Sequence, residues 1–397
     1  MTSLLERART ARAAAPSIAL VFAGLVSASC ASIGGADRGT LVIVGGGLRA
    51  ENAEVIEAFT VGAGERVLVL PTASGVPDES GPGTAEDLRG HRDAGQSIDV
   101  LEILATTPER ASDPHYVAAL GDADALWFTG GVQSRITGVF RPEQQNSPAY
   151  RQTLRLLAAG GRIGGTSAGA AMMSDPMIEG GSSRTALLEG VSDGGFEMGQ
   201  GMGYFPYGVV DQHFLRRGRI GRLVAAMEEA EADFGWGVAD DRGLFVDRAS
   251  DTGRPLGDRA VLEIDAREAT RDGLTRRGLR IALLSSGDWI DFGARTSGID
   301  ASKLRIEPLD RFMERNFLPL DPFGRDTVTV LLERLSTDPS TPQRAEQGGI
   351  ALVVRADDRT VFAADTVTLE GFSATGVILD VEIDPAVVAD PLLAPRR

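Results

Sequence analysis

The amino-acid sequence predicts an α/β protein built on a mostly parallel sheet with helices on both faces, followed by a β-rich C-terminal extension. Two observations support the α/β part: short apolar runs end in glycine-rich turns, and helical patterns lie between these runs. Strands that alternate with helices indicate βαβ units, which build parallel sheets. The extension is predicted because prolines and charges increase from about residue 310 and short β-like runs follow.

The predicted strands occupy residues 40–44, 66–70, 98–103 and 125–128, and a further run at 161–164 precedes a tight turn. Helical patterns cover residues 50–61, 84–95 and 147–159. We assign residues 39–310 to the α/β domain and residues 311–397 to the extension. Within the extension we predict a loop at 337–349 and β-like runs at 350–354, 366–369 and 376–383.

The first thirty residues are typical of a secretory signal peptide. Arginines at positions 7, 9 and 12 precede an apolar stretch from about residue 18 to 26, and small residues follow. Cys30 comes directly after this stretch, which indicates a lipoprotein signal, although Ser27 stands where such signals usually carry Leu. We therefore expect an extracytoplasmic protein that is secreted, periplasmic or anchored in a membrane through a lipid on Cys30. Residues 31–38 are predicted to be a linker.

Composition excludes several classes of function. The 397 residues carry a formal charge of −16, and nucleic-acid binding is not expected because phosphate neutralisation needs a basic face. Cys30 is the single cysteine, so no internal disulfide and no cysteine-based metal site can form. The three glycines at 45–47 lack the spacing of a dinucleotide loop and no Walker lysine follows, so we interpret them as a strand-to-helix turn. No metal or cofactor is predicted.

The strongest local motif is Gly-Thr-Ser-Ala-Gly at residues 165–169, which lies between a predicted strand and a predicted helix. This G-x-S-x-G pattern is typical of a nucleophile elbow, a sharp turn that exposes its serine. Side chains at Gly165 or Gly169 would collide with neighbouring backbone, so small flanking residues are required. Ser167 is therefore the candidate nucleophile, and the backbone NH of Ala168 is a candidate oxyanion donor.

A nucleophilic serine needs a general base, and the chain has only three histidines. His91 lies in a polar helical stretch and His115 follows Asp-Pro in a predicted loop, whereas His213 ends an apolar run on the same rim as Ser167. We predict that His213 is the base. A further strand at 235–239 ends in Asp240 and Asp241, and either carboxylate would orient the imidazole.

Three segments resemble the motifs of the cyanophycinase-like serine peptidase family, which also holds aspartyl dipeptidases. They are Phe-Thr-Gly-Gly-x-Gln at 128–133, Gly-Thr-Ser-Ala-Gly-Ala at 165–170, and the long segment at 211–223 that contains Asp-Gln-His-Phe and Arg-Gly-Arg. The resemblance covers roughly residues 39–300. It implies a flavodoxin-like or class I glutamine-amidotransferase-like fold, a metal-free Ser-His-acid mechanism, and cleavage of arginyl-polyaspartate to β-aspartyl-arginine dipeptides.

The resemblance also implies roles for individual residues. It places the triad carboxylate at Asp240 and the oxyanion donors at Ala168 and Gly131, or Gly130 in place of Gly131. The residues that it places in the substrate pocket are Gln133, Asp211, Gln212, Arg217, Arg219 and Arg222.

The chain departs from the family pattern at two positions that bear on the substrate. The family usually has Glu at the position of Asp240, so a shorter side chain must reach the imidazole or Asp241 must serve instead. Val132 replaces an acidic residue, which would relax selectivity for the arginyl group. The alternatives are a related peptidase that cleaves Asp-X dipeptides or other acidic peptides, and a non-catalytic binding lipoprotein. The sequence leaves the oligomeric state open, a homodimer included.

Overall fold

A computed structural model describes residues 38–192, 195–306, 320–366 and 369–388. The predicted signal peptide at residues 1–30, with Cys30, lies outside these described residues, as does nearly all of the predicted linker. None of the helices in the described ranges is both long and apolar enough to cross a membrane.

The described residues form two large sheets, one small sheet and the helices around them. The strands are β1 Thr40–Val44, β2 Arg66–Leu70, β3 Ser97–Val100, β4 Ala125–Phe128, β5 Arg162–Thr166, β6 Met177–Gly180, β7 Glu197–Gly199, β8 Val209–Asp211, β9 Phe234–Val238, β10 Gly243–Asp247, β11 Thr252–Leu256, β12 Val261–Asp265, β13 Thr270–Asp272, β14 Thr275–Leu284, β15 Trp289–Asp291, β16 Thr296–Gly298, β17 Leu304–Arg305, β18 Gln343–Gln347, β19 Ile350–Arg355, β20 Val361–Ala364 and β21 Ser373–Ile383. The α-helices are α1 Ala53–Thr60, α2 Pro77–Arg89, α3 Pro114–Gly121, α4 Gln133–Phe140, α5 Pro148–Ala158, α6 Ala168–Ala171, α7 Ser183–Glu189, α8 Ile220–Glu229, α9 Thr327–Thr337 and α10 Pro385–Val388, and two short 3-10 helices span Pro108–Ala111 and Pro142–Gln144.

The first sheet has a parallel centre. Its strand order is β16-β15-β11-β10-β1-β5-β4-β2-β3, and the five strands from β1 to β3 in this order are parallel. β4 is buried along its whole length, because helices cover both faces of a parallel sheet. The carboxyl ends of β1, β4 and β5 lead into the glycines at 45–47, the glycines at 130–131, and Ser167. The parallel topology therefore brings the predicted motifs to one rim.

The prediction of a mixed α/β fold is confirmed, but a mostly parallel sheet is wrong for the second half of the chain. From β10 onward every new strand pairs antiparallel, and β10 itself lies antiparallel beside β1. For β10 and β11 a short connection explains this, because a parallel crossover needs a dozen or more residues and the link between these two paired strands has only four.

The second sheet joins the middle of the chain to its C-terminal part. Its main order is β17-β20-β21-β14-β12-β9-β8, and only the β8–β9 pairing is parallel. The long strand β21 pairs with β14 on one side and with β19 and β20 on the other. Strands from both sides of residue 310 thus share one hydrogen-bonded sheet. The described residues after 310 contain four of its strands, β18 to β21, in line with the predicted β-rich extension.

Three local predictions differ from the structure. The second helix spans Pro77–Arg89 rather than 84–95, because a proline opens it and Pro82 with two glycines hides its pattern. The predicted loop at 337–349 contains β18, whose mostly polar residues form an edge strand beside β19. Of the predicted run at 366–369, Thr366 and Leu369 lie between β20 and β21 and outside both strands, with the Leu369 amide donating to the Thr366 carbonyl, whereas residues 367–368 lie outside the described residues.

Candidate active site

Ser167 occupies the turn between β5 and α6 in a strained conformation. Its φ is 55° and its ψ is −107°, a region that non-glycine residues rarely adopt. A side chain on Gly165 would approach the Gly169 carbonyl oxygen to 2.6 Å, and one on Gly169 would approach the Phe128 oxygen to 2.3 Å. The structure therefore confirms that both flanking positions need glycine. The turn directs the serine hydroxyl away from the strand and toward the rim.

His213 stands beside Ser167 on that rim. Its Nε2 lies 2.9 Å from Ser167 Oγ, and its Nδ1 contacts Oδ1 of Asp240. The backbone NH of His213 donates to the Gly45 carbonyl at 2.6 Å, which anchors the residue to the end of β1. The imidazole side chain is only 13% exposed, so it is held in place on several sides. The three predicted side chains therefore form one hydrogen-bonded chain.

The two adjacent aspartates have different partners. Asp240 follows β9 and contacts the imidazole, while its Oδ2 has no hydrogen-bond partner among the described residues. Asp241 accepts hydrogen bonds from the backbone and side chain of Arg49 and from the side chain of Asn52. Burial alone would raise the pKa of Asp241, but these hydrogen bonds outweigh burial and lower it. Of the two candidates, Asp240 is the one that contacts His213.

The glycines at 46 and 47 let His213 and Asp240 lie close to the backbone that follows β1. A side chain on Gly46, whose φ is +119°, would approach the His213 ring to 2.1 Å. A side chain on Gly47 would lie 3.3 Å from Asp240 Oδ1. The sequence analysis interpreted residues 45–47 only as a strand-to-helix turn and missed this role in the site. The run of three glycines was a signal of it, since one or two glycines suffice for most turns.

The amides predicted to stabilise an oxyanion are those of Ala168 and of Gly131 or Gly130. Within the described part of the chain, no hydrogen-bond partner is present for any of these three amides. A side chain on Gly130 would touch the Ser167 side chain, with its Cβ 3.4 Å away, so this loop lies against the nucleophile. The helix after Ser167 has four residues, which leaves little macrodipole. Individual amides rather than a helix dipole are thus the available donors.

Most of the predicted pocket residues in the 211–223 segment are engaged within the protein. Asp211 is 1% exposed and forms a two-pronged ion pair with Arg222, which is 3% exposed. Arg219 lies 3.4 Å from the same carboxylate and donates to the Gln212 carbonyl. This buried cluster fixes the segment that carries His213. Arg217, by contrast, is exposed.

The two glutamines predicted to line the substrate pocket lie in different surroundings. Gln133 begins α4, and its Nε2 donates to the carbonyls of Ile178 and Glu179, which ties α4 to β6. The side chain of Gln212 is buried, and its Oε1 has no hydrogen-bond partner in the described ranges. Their assignment to the substrate pocket stays a prediction.

The surroundings of His213 favour its neutral form. Burial lowers the pKa of the imidazole, the hydrogen bond and charge of Asp240 oppose that effect, and the charges of Arg217 and Arg219 lower the pKa further. A neutral imidazole can accept a proton, as a general base must. The arrangement is chemically suited to remove a proton from Ser167.

Comparison with known proteins places the chain among peptidases. It is 30% identical over 271 residues to a cyanophycinase of Nostoc sp., covering 64% of this chain and 86% of that protein. It is 28% identical over 268 residues to a cyanophycinase of Thermosynechococcus vestitus, covering 63% and 78%.

A solved peptidase from an acI-B1 Actinobacterium is 20% identical, with a TM-score of 0.46, and covers 65% of this chain and 98% of its own. No protein-family model matches the chain. The identity to the Nostoc protein and the 86% of its length that the chain spans show that this protein belongs to the cyanophycinase-like peptidase family.

Proposed function

We propose that the protein is a serine exopeptidase that hydrolyses cyanophycin, or arginyl-polyaspartate, to β-aspartyl-arginine dipeptides. The observation that carries the proposal is the hydrogen-bonded chain from Ser167 through His213 to Asp240. A serine on a strained elbow with a neutral base at 2.9 Å meets the geometric requirement for nucleophilic catalysis. Because the family is one of peptidases, we take a peptide bond as the group that Ser167 attacks.

In the first step, Ser167 Oγ attacks the aspartyl carbonyl carbon while His213 Nε2 takes the hydroxyl proton. The carbonyl oxygen becomes an oxyanion, which the amides of Ala168 and Gly131 stabilise by donating hydrogen bonds. His213 then gives its proton to the leaving amine, and the C–N bond breaks to leave an acyl-enzyme. Water repeats the sequence on the ester bond: His213 takes its proton, the acid product leaves, and Ser167 regains its hydrogen.

Asp240 would serve as the third member of the triad. Its carboxylate contacts the Nδ1 side of the imidazole, fixes the tautomer that presents a bare Nε2 to Ser167, and stabilises the imidazolium. The shorter aspartate reaches His213 because glycines at 46 and 47 let the two segments approach β1 closely. Asp241, held by Arg49 and Asn52, would act as a structural support for Asp240.

The substrate assignment rests on the relatives, which are named cyanophycinases. One observation favours a second substrate class, peptides of the Asp-X type. Val132 is 44% exposed in the loop next to the oxyanion donor Gly131, where the family usually carries a carboxylate. An exposed apolar side chain offers no ion pair to an arginyl group. Selectivity for arginine would therefore be weaker in this protein.

We also propose that the protein works outside the cytoplasm. The charged, apolar and small-residue order of residues 1–30 supports export, and Cys30 supports a lipid anchor. Mass spectrometry of the mature N-terminus from the native host tests both points. A diacylglyceryl group on Cys30 would support the anchor, cleavage elsewhere would support secretion, and an intact Met1 would contradict export.

The first experiment is incubation of the purified protein with insoluble cyanophycin, followed by mass spectrometry of the released material. We expect β-aspartyl-arginine from the wild-type protein, none from Ser167→Ala, and unchanged release from Ser97→Ala, an exposed serine on the edge strand β3. Asp-X dipeptides are assayed in parallel. Hydrolysis of the dipeptides without release from the polymer would reject cyanophycin as substrate and retain the serine mechanism.

A further inference from the structure

A cavity of about 440 Å³ lies away from the triad, between the two large sheets. Its walls come from the segment before β8, from β9 and β12, and from β15 and β16. Phe234, which lines the cavity, begins β9, whereas Asp240 follows the end of that strand. Six residues of extended chain separate two points by roughly 20 Å. The cavity is thus a separate site at the opposite end of the strands.

Aromatic rings form much of the cavity wall. Tyr207 and Phe292 stack with their ring centroids 4.2 Å apart and their planes at 11°. Trp236 meets Phe292 edge to face at 5.2 Å, and Phe205 packs against Tyr207 at 5.3 Å. The faces of such rings carry negative charge density and attract cations. A volume of this size is typical of sites for small ligands.

Glu263 on β12 also lines this cavity, and in the described part of the chain its carboxyl forms no ion pair within hydrogen-bonding distance. The residue is 6% exposed, and its Oε2 has no hydrogen-bond partner among the residues described. The Ser297 hydroxyl is its hydrogen-bond donor, and burial raises the pKa of Glu263 to about 7. Other buried carboxylates are paired, as Asp211 is with Arg222 and Asp288 with Lys303. Glu263 is therefore a buried acid with no direct ion pair among the described residues, and the charge of Arg267 only partly opposes the rise in its pKa.

The protein's own arginines show which kind of cation suits this wall. The guanidinium groups of Arg267 and Arg295 lie over the Phe234 ring, 4.9 and 5.2 Å from its centroid. Each is already paired, Arg267 with Asp265 and Arg295 with Asp233. A flat guanidinium can stack on a ring and donate hydrogen bonds in its own plane at the same time. An ammonium group has no flat face to stack on a ring, and it directs its hydrogen bonds tetrahedrally.

We propose that this cavity binds a small organic cation of the alkylguanidinium class, which lies against the aromatic wall of Tyr207, Trp236 and Phe292 and whose N–H groups donate to Glu263. The ligand supplies a directly hydrogen-bonded positive charge, whereas Arg267 acts on the buried carboxyl only through its more distant charge. The aromatic rings and the alkyl chain remove each other from water. The cavity is remote from Ser167, so binding of this cation does not depend on the proposed peptidase activity.

The test is titration of the full-length protein with n-butylguanidinium at a pH above about 8, where a carboxyl of pKa about 7 is ionised. Calorimetry gives the affinity, and tryptophan emission reports on Trp236 in the wall. A ligand of this size is expected to bind with a Kd on the order of 1 mM or below. Neutral n-butylurea, of nearly the same shape, serves as the ligand control.

We expect Glu263→Gln to weaken binding by about tenfold or more, because it removes the charge and keeps the shape. Asp272→Asn, an exposed carboxylate on β13, should bind as the wild type does. Phe292→Leu, which removes one aromatic face, provides a second test should Glu263→Gln fail to fold. Equal affinity for butylurea, unchanged binding in both cavity variants, or no saturable binding by the folded wild type would each overturn the proposal.

Discussion

Gly46 lies directly against the imidazole of His213, so closely that the smallest side chain at position 46 would come within 2.1 Å of the ring. The same glycine has a φ of +119°, and its carbonyl accepts the amide of Asp241 at 2.7 Å. One residue therefore sets the position of the candidate base and anchors the segment that carries Asp240. The proposed triad is assembled from three strand ends, and this glycine contacts the segments that follow two of them.

Replacing Gly46 with Ala should abolish most activity while leaving the two sheets folded. The new methyl group must displace the imidazole, and a misplacement of about 1 Å costs roughly a hundredfold in rate. The measurement is kcat/KM together with thermal unfolding. Gly95→Ala is the control, because Gly95 also has a strongly positive φ, +87°, but no atom within 4 Å of the added group. Comparable kcat/KM losses in the two variants would show that backbone strain, not the collision, is responsible.

Asn substitutions at the two neighbouring aspartates should separate their roles. Asp240→Asn removes the charge beside His213 Nδ1 and should lower kcat by about a thousandfold or more. Asp241→Asn breaks hydrogen bonds with Arg49 and Asn52 and should cost about 1–3 kcal/mol of unfolding free energy, with a much smaller loss of kcat. Steady-state kinetics and urea unfolding measure the two effects. The reverse pattern would assign the triad carboxylate to Asp241.

The sequence was sufficient for the parts of the site that are local. Ser167 lies in a short motif whose strand and helix neighbours are visible in the pattern of apolar residues, and His213 could be selected from three histidines. The role of Gly46 depends on a residue 167 positions away, which no local pattern contains. The choice between Asp240 and Asp241 likewise depends on Arg49 and Asn52.

Two elements that the sequence analysis did not predict, α9 and β18, also depend on distant parts of the chain. α9 begins with Thr-Val-Thr-Val at residues 327–330, β-branched residues that have low helix propensity, and its buried face is specified by the second sheet. β18 is mostly polar because it lies at an edge with β19 as its neighbour. In both cases, tertiary packing rather than local preference decides the structure.

Activity should fall at low pH as His213 becomes protonated, which gives the pH profile an acid limb. Protonation removes the base, so kcat/KM should rise with pH, with a midpoint below the ordinary histidine pKa of about 6.5 because burial and two arginines lower it. Arg217→Gln removes one of these positive charges, makes protonation easier and should move the limb to higher pH. Arg216→Gln, an exposed neighbour, is the control and should leave the limb in place. A limb that does not move in Arg217→Gln would contradict this electrostatic coupling.

Lys303 is the only lysine in the chain, and the structure buries it. Its Nζ lies 3.0 Å from Asp288 Oδ1 and 3.0 Å from the hydroxyl of Ser373 on β21. This cluster links β21, the last of the described strands, to the loop between β14 and β15. Removing one partner leaves an uncompensated buried charge, which costs about 3–5 kcal/mol.

Lys303→Met should therefore lower the unfolding free energy by about 3–5 kcal/mol in urea titrations, although the new side chain is apolar and similar in length. Arg305→Met, which removes an exposed cation from the adjoining strand β17, should change it little. Acylation gives an independent measure, because the buried amine should react with an amine-specific reagent only when this part of the structure opens. Rapid modification of Lys303 in folded protein, or wild-type stability of Lys303→Met, would show that the ion pair does not hold the C-terminal strand in place.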